Sequence, residues 1–204
     1  MATWFTSDLH IDHKSILHYT DREKFLKVKM TVSDHELLQR HNQWILDDIN
    51  SRVAEQDYLY LLGDIYLGAN KWKAAYWISQ INCRHKILIG GNHDHKLMGF
   101  YRDSGLFEQV HEHRCEIRVN GYTMILDHHP LAEWNKGHHG ALHCHGHTHG
   151  NFDYKAANLH DKRILDVGWD NSVKVLGEYR PFELADIEKY MEGRVSILHH
   201  NKAG

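Results

Sequence analysis

Short apolar runs of strand length recur along the chain: Thr3 to Thr6, Tyr58 to Leu62, Ile87 to Ile89, Tyr122 to Leu126 and Ala141 to Cys144. None is long enough for a core helix. Between them lie stretches with helical periodicity. The clearest, "SDHELLQRHNQWILDDINSR" from Ser33 to Arg52, pairs Ser33 with Glu36 as a capping box and sets Leu37, Leu38, Trp44, Ile45 and Ile49 on one face. A second runs from an N-cap at Asn70 through Trp72, Ala75, Tyr76 and Ser79 to Asn82. A third starts near Pro181 and continues to Met191, with Glu183 in its first turn and Gly193 past its end. Strands separated by helices predict a largely parallel arrangement. The Asn120-Gly121 pair between two apolar runs predicts a hairpin, so the sheet is expected to be mixed. With two prolines, no Gly/Ser-rich linker and no internal repeat, residues 1–204 read as a single α/β domain.

The residues that close these runs are ligand types. "WFTSDLH" ends in Asp8 and His10, "LYLLGD" in Asp64, and "ILIGGNHD" in Asn92 and His93. "MILDHHP" ends in His128 and His129, and "ALHCHGHTH" in His147 and His149. In α/β folds functional groups gather at the carboxyl ends of strands, where loops meet a rigid edge. Five segments can therefore bring their ligands to one place. Each motif alone is commonplace, and with 21 histidines in the chain a cluster is also open to a metal-storage reading. That reading gives no part to Asn92.

Composition narrows the classes. The N-terminal "MATWFTSDLHIDH" turns polar by Thr6 and lacks the apolar core of a signal peptide, and no apolar run approaches the roughly 20 residues of a membrane span. Three cysteines at unrelated spacings argue against a disulfide framework. Together these predict a cytoplasmic protein without a membrane segment. The net charge of −3 carries no strong nucleic-acid signature.

In these residues the chain resembles the calcineurin-like metallophosphoesterase family, whose pattern is Asp-x-His, Gly-Asp, Gly-Asn-His-Asp/Glu, a His, then Gly-His-x-His. Here the elements are "DLH" (8–10), "GD" (63–64), "GNHD" (91–94), His128 and "GHTH" (146–149). The segment "RILDVGWD" looks like the small bacterial and phage-type branch, less specifically. The resemblance implies a four-layer αββα sandwich, two mixed sheets flanked by helices, with a two-metal site at one edge. It implies that Asp8, His10, Asp64 and His149 bind one divalent cation and Asp64, Asn92, His128 and His147 the other, Asp64 bridging. Manganese is favoured, with iron, zinc, nickel or cobalt open.

The implied reaction is hydrolysis of a phosphate ester by in-line attack of a metal-bridging hydroxide, the cations standing about 3.5–4 Å apart. Neutral His and Asn ligands hold metal without cancelling the positive charge that attracts phosphate. His93 is then the proton donor to the leaving oxygen, and Asp94 the residue that orients it. The absence of an appended domain favours a small or flexible phosphodiester, such as a nucleotide, over a phosphomonoester or a phosphoprotein. A metal-binding scaffold would be marked by lost ligands, and every motif residue is present.

Several residues stand outside that pattern. In "DREKFLKVKM" the bases Arg22, Lys24, Lys27 and Lys29 read either as a solvated face or as a substrate rim, with Arg22 the candidate phosphate contact. His13 and Trp134 are further candidate substrate contacts, Trp134 as a stacking surface or as core. "DHHP" departs from the commoner family form, in which a serine precedes a single histidine. Asp127 thus reads as tuning an imidazole or capping a strand, and His129 as an alternate ligand. Strand alternation puts His143 and His145 on one face and Cys144 on the other.

Overall fold

The computed structural model describes residues 1–26 and 33–197, so Lys27 and Lys29 lie outside the described residues. Two mixed sheets are built from nine strands among the described residues. In the first, β1 (Thr3–Thr6), β2 (Tyr58–Leu61), β3 (His85–Ile89) and β4 (Gln109–His111) run parallel. In the second, β5 (Arg114–Val119) and β6 (Tyr122–Asp127) form an antiparallel hairpin, and β7 (Leu142–His145) and β8 (Ile164–Asp166) extend it in parallel. Asn120 and Gly121 both have positive φ, 47° and 82°, as a two-residue hairpin turn with the right twist requires.

Alternation along the strands sorts the core. Phe5, Ile87 and Ile89 of the first sheet meet Met124, Leu126, Leu142, Cys144 and Leu165 of the second, which packs the sheets face to face. Trp4, Leu59, Leu61 and Leu88 point the other way and pack under helices α3 (Asp34–Arg52) and α4 (Lys71–Ser79). The far face of the second sheet, with Ile125 and Ile164, is covered by the 131–141 and 152–159 connections through Trp134, Ala141 and Leu159. The segment 131–159 outside β7 is turns, bends and one short 3₁₀ turn, Gly137–His139, so this covering layer is irregular.

The helices start where their caps stand. Ser33 Oγ accepts from Glu36 N at 3.2 Å, and Asn70 Oδ1 accepts from Trp72 N and Lys73 N at 3.1 Å each. α4 ends at Ser79, short of Asn82. The third expected helix starts later. Phe182–Glu183 forms β9, an antiparallel edge strand on β1, and α7 (Leu184–Met191) follows with Glu183 as its N-cap in a reciprocal box with Asp186. The reason is tertiary: Phe182 is fully buried between the sheets, and its backbone occupies the open edge of β1. Short helices α1 (Ile16–Tyr19), α2 (Arg22–Phe25), α5 (Met98–Asp103) and α6 (Trp169–Leu176) complete the fold. Cys83, Cys115 and Cys144 are buried and free, and no described helix is long and apolar enough to cross a membrane.

Candidate metal centre

The carboxyl ends of β1, β2, β3, β6 and β7 meet at one edge. Asp8 N donates to Gly63 O at 3.0 Å and His10 N to Asp64 O at 2.9 Å, so the first two motifs interlock through their backbones. A parallel bridge from Ser7 to Gly168 ties the end of β1 to the chain just beyond β8, joining the sheets there. Asp8, His10, Asp64, His147 and His149 all have left-handed backbone, with φ of 57°, 52°, 54°, 70° and 50°. Such residues cost about 1–3 kcal/mol each and persist only where the surroundings hold them. Two glycines permit the crowding: a Cβ at Gly91 would lie 2.2 Å from Asp64 Oδ1, and one at Gly146 only 1.8 Å from Ser7 Oγ.

Two groups of donors result. In one, His10 Nε2 lies 3.8 Å from both Asp8 Oδ1 and Asp64 Oδ2, with His149 Nε2 4.0 Å from Asp8 Oδ1. In the other, Asn92 Oδ1 lies 3.0 Å from His128 Nε2 and 2.9 Å from His147 Nδ1, and Asp64 Oδ2 is 3.5 Å from His128 Nε2. Asp64 belongs to both. Asp8 Oδ1 and His10 Nε2 are fully buried atoms without a hydrogen-bond partner among the described residues, and each such orphan costs about 1–3 kcal/mol. They face one another at a distance too long for a hydrogen bond and suited to an ion between them, so the donor set fits a metal.

The ring nitrogens are set for this. His128 Nδ1 donates to Leu62 O at 2.8 Å, which turns Nε2 toward the cluster. Burial opposes a charge on His128, but the Asp64 and Asp8 carboxylates raise its pKa to about 9. Burial pushes Asp8 up to about 6 despite His128 and His149 nearby. A cation entering here displaces those protons.

Arg22 overturns an expectation. It is fully buried and makes no substrate rim. Its Nε and Nη2 grip both oxygens of Asp170 at 2.8 Å, while Nη1 and Nη2 donate to Leu9 O and Asp8 O at 2.8 and 2.6 Å. Asp170 in turn accepts from His149 Nδ1 at 2.7 Å. Burial would raise the Asp170 pKa, yet the Arg22 guanidinium and His149 hold it well below the usual carboxylate range. Because the folded value is depressed, this stabilisation is present above about pH 4, the unfolded value, and is lost as pH falls below it. Arg22→Ala strands a buried carboxylate and loosens the Asp8–His10 turn. The expected cost is about 3–5 kcal/mol, read as a lower urea midpoint of the metal-free protein; an unchanged midpoint would remove Arg22 from this bracing role.

Asp94 also differs from expectation. Its Oδ2 accepts from Asp64 N at 2.7 Å and Gly91 N at 2.9 Å, bracing two motif turns, with no hydrogen bond to His93. Burial pushes its pKa up to about 7. His93 stands beside the cluster, 40 % exposed, with Nε2 3.8 Å from Asp64 Oδ2 and its backbone N–H on Asp64 Oδ1 at 2.9 Å. His13 is close by, its Nδ1 3.1 Å from His10 Nδ1. Trp134 is core, not a stacking surface: it is buried, and its indole N–H donates to Ala141 O at 2.8 Å.

The other histidines of "HCHGHTHG" are buried and satisfied. His143 donates to Ile125 O and accepts from Leu131 N, and His145 donates to Gly146 O and meets the Tyr154 hydroxyl at 2.7 Å. Asp127 caps the end of β6, accepting from His129 N at 3.0 Å and Arg114 Nε at 2.9 Å. Reading the sequence missed Asp166 and Asp170, although both lie in "RILDVGWD". Asp166 accepts from Thr148 Oγ, Gly150 N and Gly168 N, which holds the loop carrying His147 and His149.

No family model matches the chain. The Gene 66 protein of Mycobacterium phage L5 is 31 % identical over 196 residues, covering 82 % of this chain and 86 % of its own length. The chain belongs to the Gene 66 protein family. Similar too is the uncharacterized protein MJ1445 of Methanocaldococcus jannaschii, 28 % identical over 93 % of this chain and 90 % of its own. The crystal structure of the protein of unknown function AQ665 from Aquifex aeolicus shares the fold, with a TM-score of 0.64 at 20 % identity over 93 % of this chain and 98 % of that one. None of these names states an activity, so the chemistry of this Gene 66 family member rests on its own site.

Two cavities flank the cluster. One of about 480 Å³ opens beside Asn92 and His129 over Gly90, Met98 and Gly99, with Arg102 and His95 at its side. The other, about 440 Å³, lies beside His149 and Asp170 with Tyr19, Lys24, Lys174 and Tyr179. Both fall within the usual range for small-ligand sites.

Proposed function

We propose that the protein is a two-metal phosphoesterase of the calcineurin-like kind, with a metallo-dependent-phosphatase-like fold, acting on a small or flexible phosphodiester. One observation carries the reading: five separate strand ends bring Asp8, His10, Asp64, Asn92, His128, His147 and His149 into one cluster that shares Asp64, with buried orphan atoms facing one another. Asp8, His10, Asp64 and His149 would hold one cation, and Asp64, Asn92, His128 and His147 the other. Manganese is the favoured metal by the family resemblance. When bound, two such ions supply positive charge for the phosphate and acidify water toward neutral pH.

The side chains do the rest. Asp170 and the Leu62 carbonyl hold the His149 and His128 rings in place through Nδ1, leaving both Nε2 atoms facing the cluster. His93 carries the proton for the departing oxygen: it is exposed on one side, and its backbone is pinned to Asp64. Cavities on both sides of the cluster give room for the two arms of a diester, whereas a monoester has a single arm.

The test is turnover of bis(p-nitrophenyl) phosphate and p-nitrophenyl phosphate by metal-stripped protein reloaded with manganese. Metal-dependent cleavage with the diester faster is the expected result. Faster monoester cleavage would overturn the diester assignment, and two bound metals with no cleavage of these or of nucleotide diesters would overturn the enzyme reading.

A further inference from the structure

The two departures in "DHHP", Asp127 and His129, come together in the structure. Asp127 lies at the end of β6 with Arg114 on Oδ2 and the backbone N–H of His129 on Oδ1. Pro130, with its fixed φ, follows directly. The backbone of His129 is thus held on both sides while its side chain is exposed. Neither of its ring nitrogens has a hydrogen-bond partner among the described residues. The ring is aimed at the cluster, 4.4 Å from the His147 ring and 4.9 Å from that of His128, centroid to centroid. The donor atoms of His128, His129 and His147 all lie within 4.8 Å of one another. Two nitrogens on one metal stand at most about 4 Å apart, twice the roughly 2.1 Å bond, so a small rotation of the exposed ring suffices.

We propose that His129 is a further ligand of the second cation, raising its imidazoles from two to three, and that Asp127 is the positioning residue that aims it. This rests on the two-metal reading of the site. A third imidazole adds no charge, so the positive surplus for phosphate is kept. It does change the metal. Imidazole suits zinc, iron and nickel, whereas carboxylate and water suit manganese, so the second position would favour a borderline transition metal over the manganese that the family resemblance implies. The serine-and-single-histidine form of the family lacks both the extra donor and the carboxylate that holds it.

The experiment is titration of the metal-stripped full chain with Co(II) and, separately, Mn(II), followed by calorimetry and by the visible absorption of Co(II). The wild type is expected to bind two ions. His129→Ala should weaken one Co(II) site by about 10–100-fold or more, the loss known even for outer partners of a metal, and change its spectrum while leaving the other site alone. The loss should be smaller for Mn(II). Asp127→Ala should shift the same Co(II) band, and Asp127→Asn, which still accepts from the His129 N–H, should restore it.

Unchanged affinities and spectrum in His129→Ala, with KM for the diester raised, would overturn the proposal and make His129 a wall of the adjoining cavity. Two ions bound by the wild type would leave the phosphoesterase reading standing in that case. A wild type that takes up no stoichiometric metal would sink both.

Discussion

Asp64→Asn is expected to lose metal and turnover together. Asp64 Oδ2 lies 3.8, 3.5 and 3.8 Å from the Nε2 atoms of His10, His128 and His93, and the side chain is 3 % exposed. An asparagine fills the same volume and still accepts from the His93 N–H. With its oxygen kept on that N–H, it places an amide N–H₂ among three imidazoles, and it removes one of the two carboxylates of the donor set. With the anion common to both donor groups gone, both positions weaken. Metals are worth several kcal/mol of charge stabilisation in such reactions, and each 1.36 kcal/mol is tenfold, so turnover should fall on the order of 10³-fold or more. Metal analysis after dialysis, beside the diester assay, checks both halves. Full metal content with turnover within tenfold of wild type would show that Asp64 does not bridge.

His93→Ala separates chemistry from metal. The proposed ligand set leaves out the His93 ring, although its donor atom lies within 4.8 Å of those of His10 and Asp64, and its backbone contact to Asp64 survives the substitution. Metal content should hold while kcat falls about 10²–10⁴-fold, the span for a positioned acid–base group, or about 2.7–5.4 kcal/mol. The loss should depend on the leaving group, being smaller for p-nitrophenolate, which departs without a proton, than for an alkoxide such as a nucleoside hydroxyl. An equal loss on both substrates would assign His93 to phosphate binding, and full turnover would remove it from the reaction.

Five of the nine strands among the described residues, and the order of their terminal ligands, were legible because both signals are local. An apolar run marks the strand, and the residue that stops it marks the edge. Thr3–Thr6 agrees to the residue, and the other four runs agree within two. Trp134 could be read two ways because an aromatic in a polar loop gives no sign of which face it meets; the 131–141 connection folds onto the second sheet and buries it. Arg22 was misread for a similar reason. It sits in a run of charges, and its buried partners, Asp170 148 residues later with the Asp8 and Leu9 carbonyls, are met only in the folded chain.

The sequence by itself determined which chemical groups stand at the end of each strand, and in what order, because alternation and turn chemistry act over a few residues. The tertiary structure decided what those groups do to one another. The left-handed backbone at five candidate ligands is held by contacts such as His147 N to Asp8 Oδ2, 139 residues apart. The partners that orient His128 and His149, the hydrogen bond from Asp64 N to Asp94, and the aim of His129 all depend on neighbours brought together only by packing. Desolvation and hydrogen-bond geometry set those roles, and both are properties of the packed interior.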